Sequence, residues 1–339
     1  MQIFLYEFIT SGGMWALGGK PEGSLLTEGQ AMLSAVVDDA LRIGLEPILI
    51  RDSRLGGELP SGCQVVEVAN IAEHQEAFAS FAAGADYTLL IAPEFESWLL
   101  KLARLAVDAQ ANLLSPDPTF IALTSDKQAT ADRLQRLKVP VPHGTTLEPF
   151  DKPPKTPYPA VLKPNDGAGS QSVRVVHKLT EAKKWMEASP PWTWRFEKLH
   201  PGTPASVSIL RGLGEPIAMP PCRQNLSGDG GFLYLGGEAP LPEPLAERAM
   251  RLGLAAAHAL PKTTGLFGID LVLGDAEDGS QDVVIEVNPR LTTSYVGLRA
   301  LCEQNLLQAT IDAIEGREVV LSFRSERLEF DPDGTVRTL

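Results

Sequence analysis

The sequence predicts an α/β lobe built on a parallel sheet, followed by an α+β region. Three observations predict it. Apolar strand-like runs alternate with helical periodicity over residues 1–115. The texture changes at Leu114-Ser115-Pro116-Asp117-Pro118, and a glycine-rich turn, Asp166-Gly167-Ala168-Gly169, lies between two later strand-like runs.

The first strand is expected over residues 3–9, ending in the loop Thr10-Ser11-Gly12-Gly13. Residues 25–43 have helical spacing, with Leu25, Met32, Leu33, Val36, Val37 and Leu41 on one side and Gly44 as a stop. Strands follow at 47–50, 64–68 and 87–92, with helices at 70–83 and 95–112 between and after them. A short helix is expected at 130–137, a proline-rich loop at 149–159, strands at 160–163, 172–176 and 193–199, and a helix at 180–188. The last part alternates strands (205–211, 266–273, 282–287) with helices (245–260, 298–314). It closes on Asp331-Pro332-Asp333-Gly334, a turn between two short strands. Three domains are expected, at 1–117, 118–200 and 201–339.

Composition narrows the function. A chain of 339 residues exceeds one ordinary core. With 44% apolar and 22% charged residues it reads as a soluble globular protein. A net charge of -13 argues against a long contact with nucleic acid, although a local basic pocket for phosphates needs only a few cations. Cys63, Cys222 and Cys302 fit no zinc spacing and read as buried free thiols in a reducing compartment. The N-terminus lacks the pattern of a signal peptide, and no uncharged apolar run is long enough to cross a bilayer. A cytoplasmic protein without membrane contact is expected.

Four segments carry chemistry. In Val284-Ile285-Glu286-Val287-Asn288-Pro289-Arg290, with Gly268-Ile269-Asp270 upstream, Asp270, Glu286 and Asn288 can point at one spot from adjacent strands. Two carboxylates and an amide oxygen suit Mg²⁺, and Arg290 brings a forked cation to developing phosphoryl or acyl-phosphate oxygens. The competing reading is strand-end surface charge and an Asn-Pro turn. In Lys163-Pro164-Asn165-Asp166-Gly167-Ala168-Gly169-Ser170, glycines 167 and 169 let backbone N–H groups face an anion. Ser170 adds a donor, and Lys163 can reach a phosphate. This is not a Walker A loop; it is either a flap over phosphates or an ordinary Asp-Gly hairpin. Lys127 follows Ser125-Asp126 at a helix start, within reach of a phosphate or simply solvated beside a cap. Glu197-Lys198-Leu199 ends a strand and can meet the edge of a base, with Val161 and Ile285 as apolar walls.

In this order the segments resemble the ATP-grasp superfamily over about residues 118–315, with the N-terminal lobe as its pre-grasp domain. The resemblance implies an ATP-grasp fold, two α+β subdomains holding ATP between them. It implies that Lys127 and Lys163 bind phosphates, Glu197, Lys198 and Leu199 line the adenine, and Asp270, Glu286 and Asn288 hold magnesium. Two Mg²⁺ ions are expected, with Mn²⁺ able to substitute. Two departures stand out. Thr203-Pro204-Ala205-Ser206 stands where many members carry an acidic ribose ligand, and Gly268 where related ligases often have arginine, a role that falls to Arg290 or Arg223. Tyr6-Glu7-Phe8-Ile9-Thr10-Ser11-Gly12-Gly13 and Leu25-Leu26-Thr27-Glu28-Gly29 also resemble the tyramine–L-glutamate ligases of methanofuran and methylofuran biosynthesis.

The expected activity is therefore a carboxylate–amine ligase working through an acyl phosphate. Its partners are a small-molecule acid and amine, with a homodimer left open. Thr292 and Thr293 are candidates for a substrate carboxylate, Arg223 for another, and Glu7 and Ser11 for the acceptor amine. A small-molecule kinase, a ligase for another acid–amine pair and a non-catalytic nucleotide-binding regulator are the alternatives.

Overall fold

The computed structural model describes residues 1–57, 61–169 and 172–339. Its first sheet contains β1 (Gln2–Glu7), β2 (Glu46–Asp52), β3 (Gln64–Val68) and β4 (Tyr87–Ile91), in the order β3-β2-β1-β4 and parallel throughout. The crossovers are α1 (Ser24–Arg42) and α2 (Ile71–Gly84), and α3 (Trp98–Asp108) follows β4 after a 3-10 turn at Phe95–Ser97. Strand order steps outward from β1 to β3 and then jumps back to β4. A crevice therefore opens beyond the carboxyl ends of β1 and β4, the place where open α/β sheets bind ligands.

Two short helices come next, α4 (Pro118–Thr124) and α5 (Lys127–Arg136). α4 is not expected from the sequence, and α5 begins at Lys127, the helix start expected beside Asp126, three residues ahead of the expected stretch at 130–137. Each helix starts on an aspartate cap: Asp117 accepts from Thr119 and Phe120, and Asp126 accepts from Ala129.

The second sheet is antiparallel, in the order β5-β8-β6-β7, from β5 (Gly144–Leu147), β6 (Ala160–Pro164), β7 (Arg174–Val176) and β8 (Trp194–Lys198). α6 (Leu179–Ala188) covers it, and Trp194 and Phe196 fill its small core.

The third sheet holds β9 (Thr203–Arg211), β10 (Ile217–Ala218), β11 (Cys222–Leu226) and β12 (Tyr234–Ala239). After α7 (Leu245–Ala259) it gains β13 (Gly265–Leu273) and β14 (Val283–Asn288). The expected helix over 298–314 is two helices, α8 (Ser294–Leu301) and α9 (Leu306–Ile314), followed by the tail strands β15 (Leu328–Phe330) and β16 (Val336–Thr338). α7 packs on one face of this sheet, and α8 and α9 on the other. All three cysteines are free, with Cys63 half-buried rather than buried as expected.

The third sheet and the first are joined through α1. Its Asp39 accepts from the Tyr295 hydroxyl at 2.6 Å and from Arg299 at 2.7 Å, and Asn305 Nδ2 donates to the Asp39 carbonyl. One apolar core runs from Ile3 and Val36 through to Leu298 and Leu307. This junction sets the crevice of the first sheet against the β14–α8 loop.

Candidate active site

A cavity of about 320 Å³ lies between the second and third sheets. β13 and β14 supply its acidic floor. Their register sets Asp270 directly opposite Glu286, and Gly268 opposite Asn288. Asn288 Nδ2 donates to Asp270 Oδ2 at 2.9 Å, and Gln224 Nε2 donates to Asp270 Oδ1 at 2.9 Å. Burial, and then the charge of Glu286, raise the Asp270 carboxyl to about 7. Burial also works against ionised Glu286, but Lys127 and Lys163 outweigh it and hold that group below its ordinary value. The two half-buried carboxylates thus face one another, with Lys127, Lys163 and Arg290 as the nearby cations.

That donor set fits a hard divalent ion. Asp270 and Glu286 offer oxygens, and the Asn288 carbonyl is not used by the bond its amide nitrogen makes. Among the described residues, no group of three or more His, Cys, Asp or Glu side chains forms a closed metal cage. An open set suits an ion that completes its shell with water and phosphate oxygens.

The roof carries the lysines. Lys163, near the end of β6, forms a buried ion pair with Glu197 Oε1 at 2.6 Å and donates to the Ile285 carbonyl at 3.3 Å. Glu197 also binds Arg195 at 2.6 Å, so its carboxylate positions Lys163 rather than facing a base. Lys127, the first residue of α5, donates to the Gly167 carbonyl at 2.5 Å and lies 3.5 Å from Glu286 Oε2. The glycine-rich loop is anchored at its base. The Asn165 side chain accepts from the Gln128 N–H and donates to Asp126, while its carbonyl accepts from the Lys127 N–H. At its tip the loop meets the first sheet's lobe. Asp166 accepts from the Glu96 N–H, and a Cβ on Gly169 would come within 2.6 Å of Leu25 Cδ2. Val161 and Ile285 line opposite walls, and the strand end Glu197-Lys198-Leu199 borders the cavity. There the Lys198 and Leu199 N–H groups donate to the carbonyls of His143 and Pro159.

Arg290 sits at the far end, where the three layers meet. Its Nε lies 3.0 Å from Glu94 Oε1, and Glu94 is 4% exposed. Glu94 and Glu28 outweigh the cost of burial and raise the guanidinium above its ordinary pKa. Glu28 accepts from Thr293 Oγ1 at 3.1 Å and borders the cavity beside Thr292 and Thr293. A Cβ on Gly268 would meet Thr292 Cγ2 at 2.7 Å, so any side chain there, arginine included, would collide with this loop.

Several expected site residues lie elsewhere. Arg223 does not border the cavity; its neighbour Gln224 does, and strand alternation turns Arg223 to the opposite face. It is therefore not available as the substitute for the missing arginine. Glu7 and Ser11 are buried behind the cavity wall, Glu7 held by the N–H groups of Ile9 and Thr10. Ser170 lies outside the described residues. The sequence assigns no role to Glu28, Glu94, Gln224 or Tyr234; the one available signal is Glu94, three residues past a largely apolar strand at a sheet's carboxyl end.

Glu7 yields a stability prediction. Burial raises its carboxyl from 4.5 to about 7, against the N–H bonds of Thr10 and Ile9 and the charge of Arg290. A carboxyl raised on folding contributes fully below about pH 4.5, and its contribution is lost as pH rises through about 7. Glu7→Gln removes that loss. Urea denaturation should find it close to wild type at pH 4.5 and more stable by roughly 3 kcal/mol at pH 8. Parallel pH profiles would show that Glu7 does not titrate in this window.

Comparison with known proteins agrees with this architecture. The family model described as "ATP-grasp domain" matches residues 124–294, half of the chain, and "pre ATP-grasp 3 domain" matches residues 45–121. The chain belongs to the ATP-grasp family, with a pre-ATP-grasp lobe ahead of the grasp. It is 26% identical over 226 residues to a carbamoyl-phosphate synthase of Methanobrevibacter smithii, covering 60% of this chain and 59% of that protein. It is 21% identical over 335 residues to a tyramine–L-glutamate ligase of Methanocaldococcus jannaschii, covering 97% of this chain and 94% of that one. Among solved structures, a biotin carboxylase from Campylobacter jejuni superposes with a TM-score of 0.74 at 17% identity, over 97% of this chain and 74% of that one.

Proposed function

We propose that this protein is an ATP- and Mg²⁺-dependent carboxylate–amine ligase that joins the γ-carboxylate of L-glutamate to tyramine through an acyl phosphate. The observation that carries it is one cavity in which Lys127, Lys163 and Arg290 surround the facing pair Asp270 and Glu286. Similarity to a tyramine–L-glutamate ligase over nearly the whole of both chains supports the choice of substrates.

With acid and amine both bound, the γ-phosphoryl group passes to a carboxylate oxygen and the β–γ bridging P–O bond breaks, leaving ADP in the site until the amide has formed. The amine nitrogen then attacks the acyl carbon and loses a proton, and phosphate leaves with the former carboxylate oxygen. Asp270, Glu286 and Asn288 would hold Mg²⁺, which neutralises phosphate charge when bound. Lys163 is pre-set by Glu197 and the Ile285 carbonyl to meet a phosphate, and Lys127 adds a second ammonium from the start of α5. Arg290, fixed by Glu94, faces the charge that gathers where carboxylate and phosphoryl group meet. The loop at 164–169, docked on α5 and on the first lobe, keeps water from the acyl phosphate.

Incubation with ATP, Mg²⁺, glutamate and a panel of amines tests the proposal. ADP and phosphate should appear in equal amounts, and only when acid and amine are both present. AMP release would mean adenylation, ADP from acid alone a kinase, and no ATP turnover with any pair a binding protein; each outcome sinks the ligase reading.

A further inference from the structure

The cavity does not end at the phosphate-facing lysines. Beyond Arg290 it reaches Glu28 on α1, with Tyr234 close to Glu28 and Leu226 paired beside Tyr234 across β11 and β12. This end carries more negative than positive charge. Glu28 borders the space, and Glu7 and Glu94 lie buried behind it at the carboxyl ends of β1 and β4. Arg290 is the cation that all three share. Glu94 is buried, and the partner its carboxylate meets is Arg290, whose Nε lies 3.0 Å from Oε1. A buried carboxylate whose one cation is shared with other carboxylates is stabilised by a further cation nearby. A second anionic group would be repelled here, whereas an ammonium would find Glu28 directly and the field of Glu94 behind it. The apolar and aromatic side chains alongside suit a hydrocarbon or aryl body attached to that ammonium.

We propose that this end of the cavity is the acceptor subsite, binding an alkyl- or arylalkyl-amine as its ammonium cation with the Glu28 carboxylate as its ion partner. The subsite rests on the ligase reading for its role in turnover, but not for its existence. Glu28 keeps its place through Thr293 Oγ1 at 3.1 Å, and glutamine can accept the same bond, so Glu28→Gln removes charge without removing the contact.

Two measurements test it. In calorimetric titration with ADP and Mg²⁺ present, wild-type protein should bind tyramine about tenfold or more tightly than the alcohol of the same skeleton. Glu28→Gln should erase that preference and Glu28→Asp restore part of it. Equal affinities in the wild type, or a preference unchanged by Glu28→Gln, overturn the subsite whether or not the protein turns over. In the ligase assay, hydroxylamine serves as a small uncharged acceptor that shares the phosphoryl-transfer step. The ratio of kcat/KM for tyramine to that for hydroxylamine should fall about tenfold in Glu28→Gln. A parallel loss of both would confine Glu28 to supporting Arg290 and overturn the proposal. Absence of ADP release with every acid–amine pair would sink the ligase reading and leave the binding result to decide the subsite.

Discussion

Glu286→Gln should lose turnover by about 10³-fold or more while unfolding at nearly the wild-type midpoint. Catalysis and stability separate at this position because of what surrounds it. Glu286 faces Asp270 across β13 and β14, both are half-buried, and their mutual repulsion is one reason the Asp270 carboxyl rises to about 7. Glutamine has the same shape and ends that repulsion, so the Asp270 carboxyl should fall part of the way, with burial still holding it up. Lys127 loses a partner 3.5 Å away but keeps its bond to the Gly167 carbonyl. The fold therefore loses little. The chemistry loses one of the two anionic ligands proposed to draw a divalent ion, and with it the means to gather triphosphate and carboxylate in one place. Steady-state ADP release and thermal unfolding of the same preparation check both halves. Activity within tenfold of wild type would remove Glu286 from the proposed metal site. A collapse of the unfolding midpoint would mean that its role is structural.

The sequence made the chemistry on β13, β14, β6 and α5 legible because each element places its residue by a local rule. Asp270 and Glu286 face one way by strand alternation, and Asp126 starts the helix that carries Lys127. The parallel sheet was legible for the same reason, since apolar runs and helical spacing are local. Other features depend on distant partners. The break between α8 and α9 is hidden because Leu298, Leu301, Leu306 and Leu307 all face one core, so apolar spacing continues through it. Asn305 sets the break by capping α9 while donating to Asp39 of α1. β12 has no expectation from the sequence, because Gly236 and Gly237 interrupt any apolar alternation there. Gly237 is there because Phe330 passes so close that a Cβ would sit 2.6 Å from its ring. Arg223 is a candidate from the sequence for a substrate carboxylate and for the role of the arginine missing at Gly268, but the register of β11 turns it away. Glu94 carries no motif, and its meaning appears only when the lobe junction brings it to Arg290.

Arg290→Met should cost both activity and stability, and the two losses should respond differently to a second change. The guanidinium is the shared counter-charge of Glu94, Glu28, Glu7 and Asp270, and Glu94 lies with it in the interior. Removing one partner of a buried pair leaves an uncompensated charge, which typically destabilises by about 3–5 kcal/mol. Turnover should fall by about 10³-fold, the scale on which a cation aimed at a transferring phosphoryl group acts. Glu94→Gln in the Arg290→Met background takes away the stranded charge, and chemical denaturation should then show much of the lost stability regained. Turnover should stay low, because no second change restores a cation at the reacting end. Arg290→Lys keeps the charge but gives up the fork, so it should preserve more stability than activity. Strictly additive losses in the double variant would mean that Glu94 and Arg290 do not act on one another. Recovery of turnover together with stability would mean that Arg290 serves only to neutralise Glu94, and the phosphoryl-transfer role assigned to it would fall.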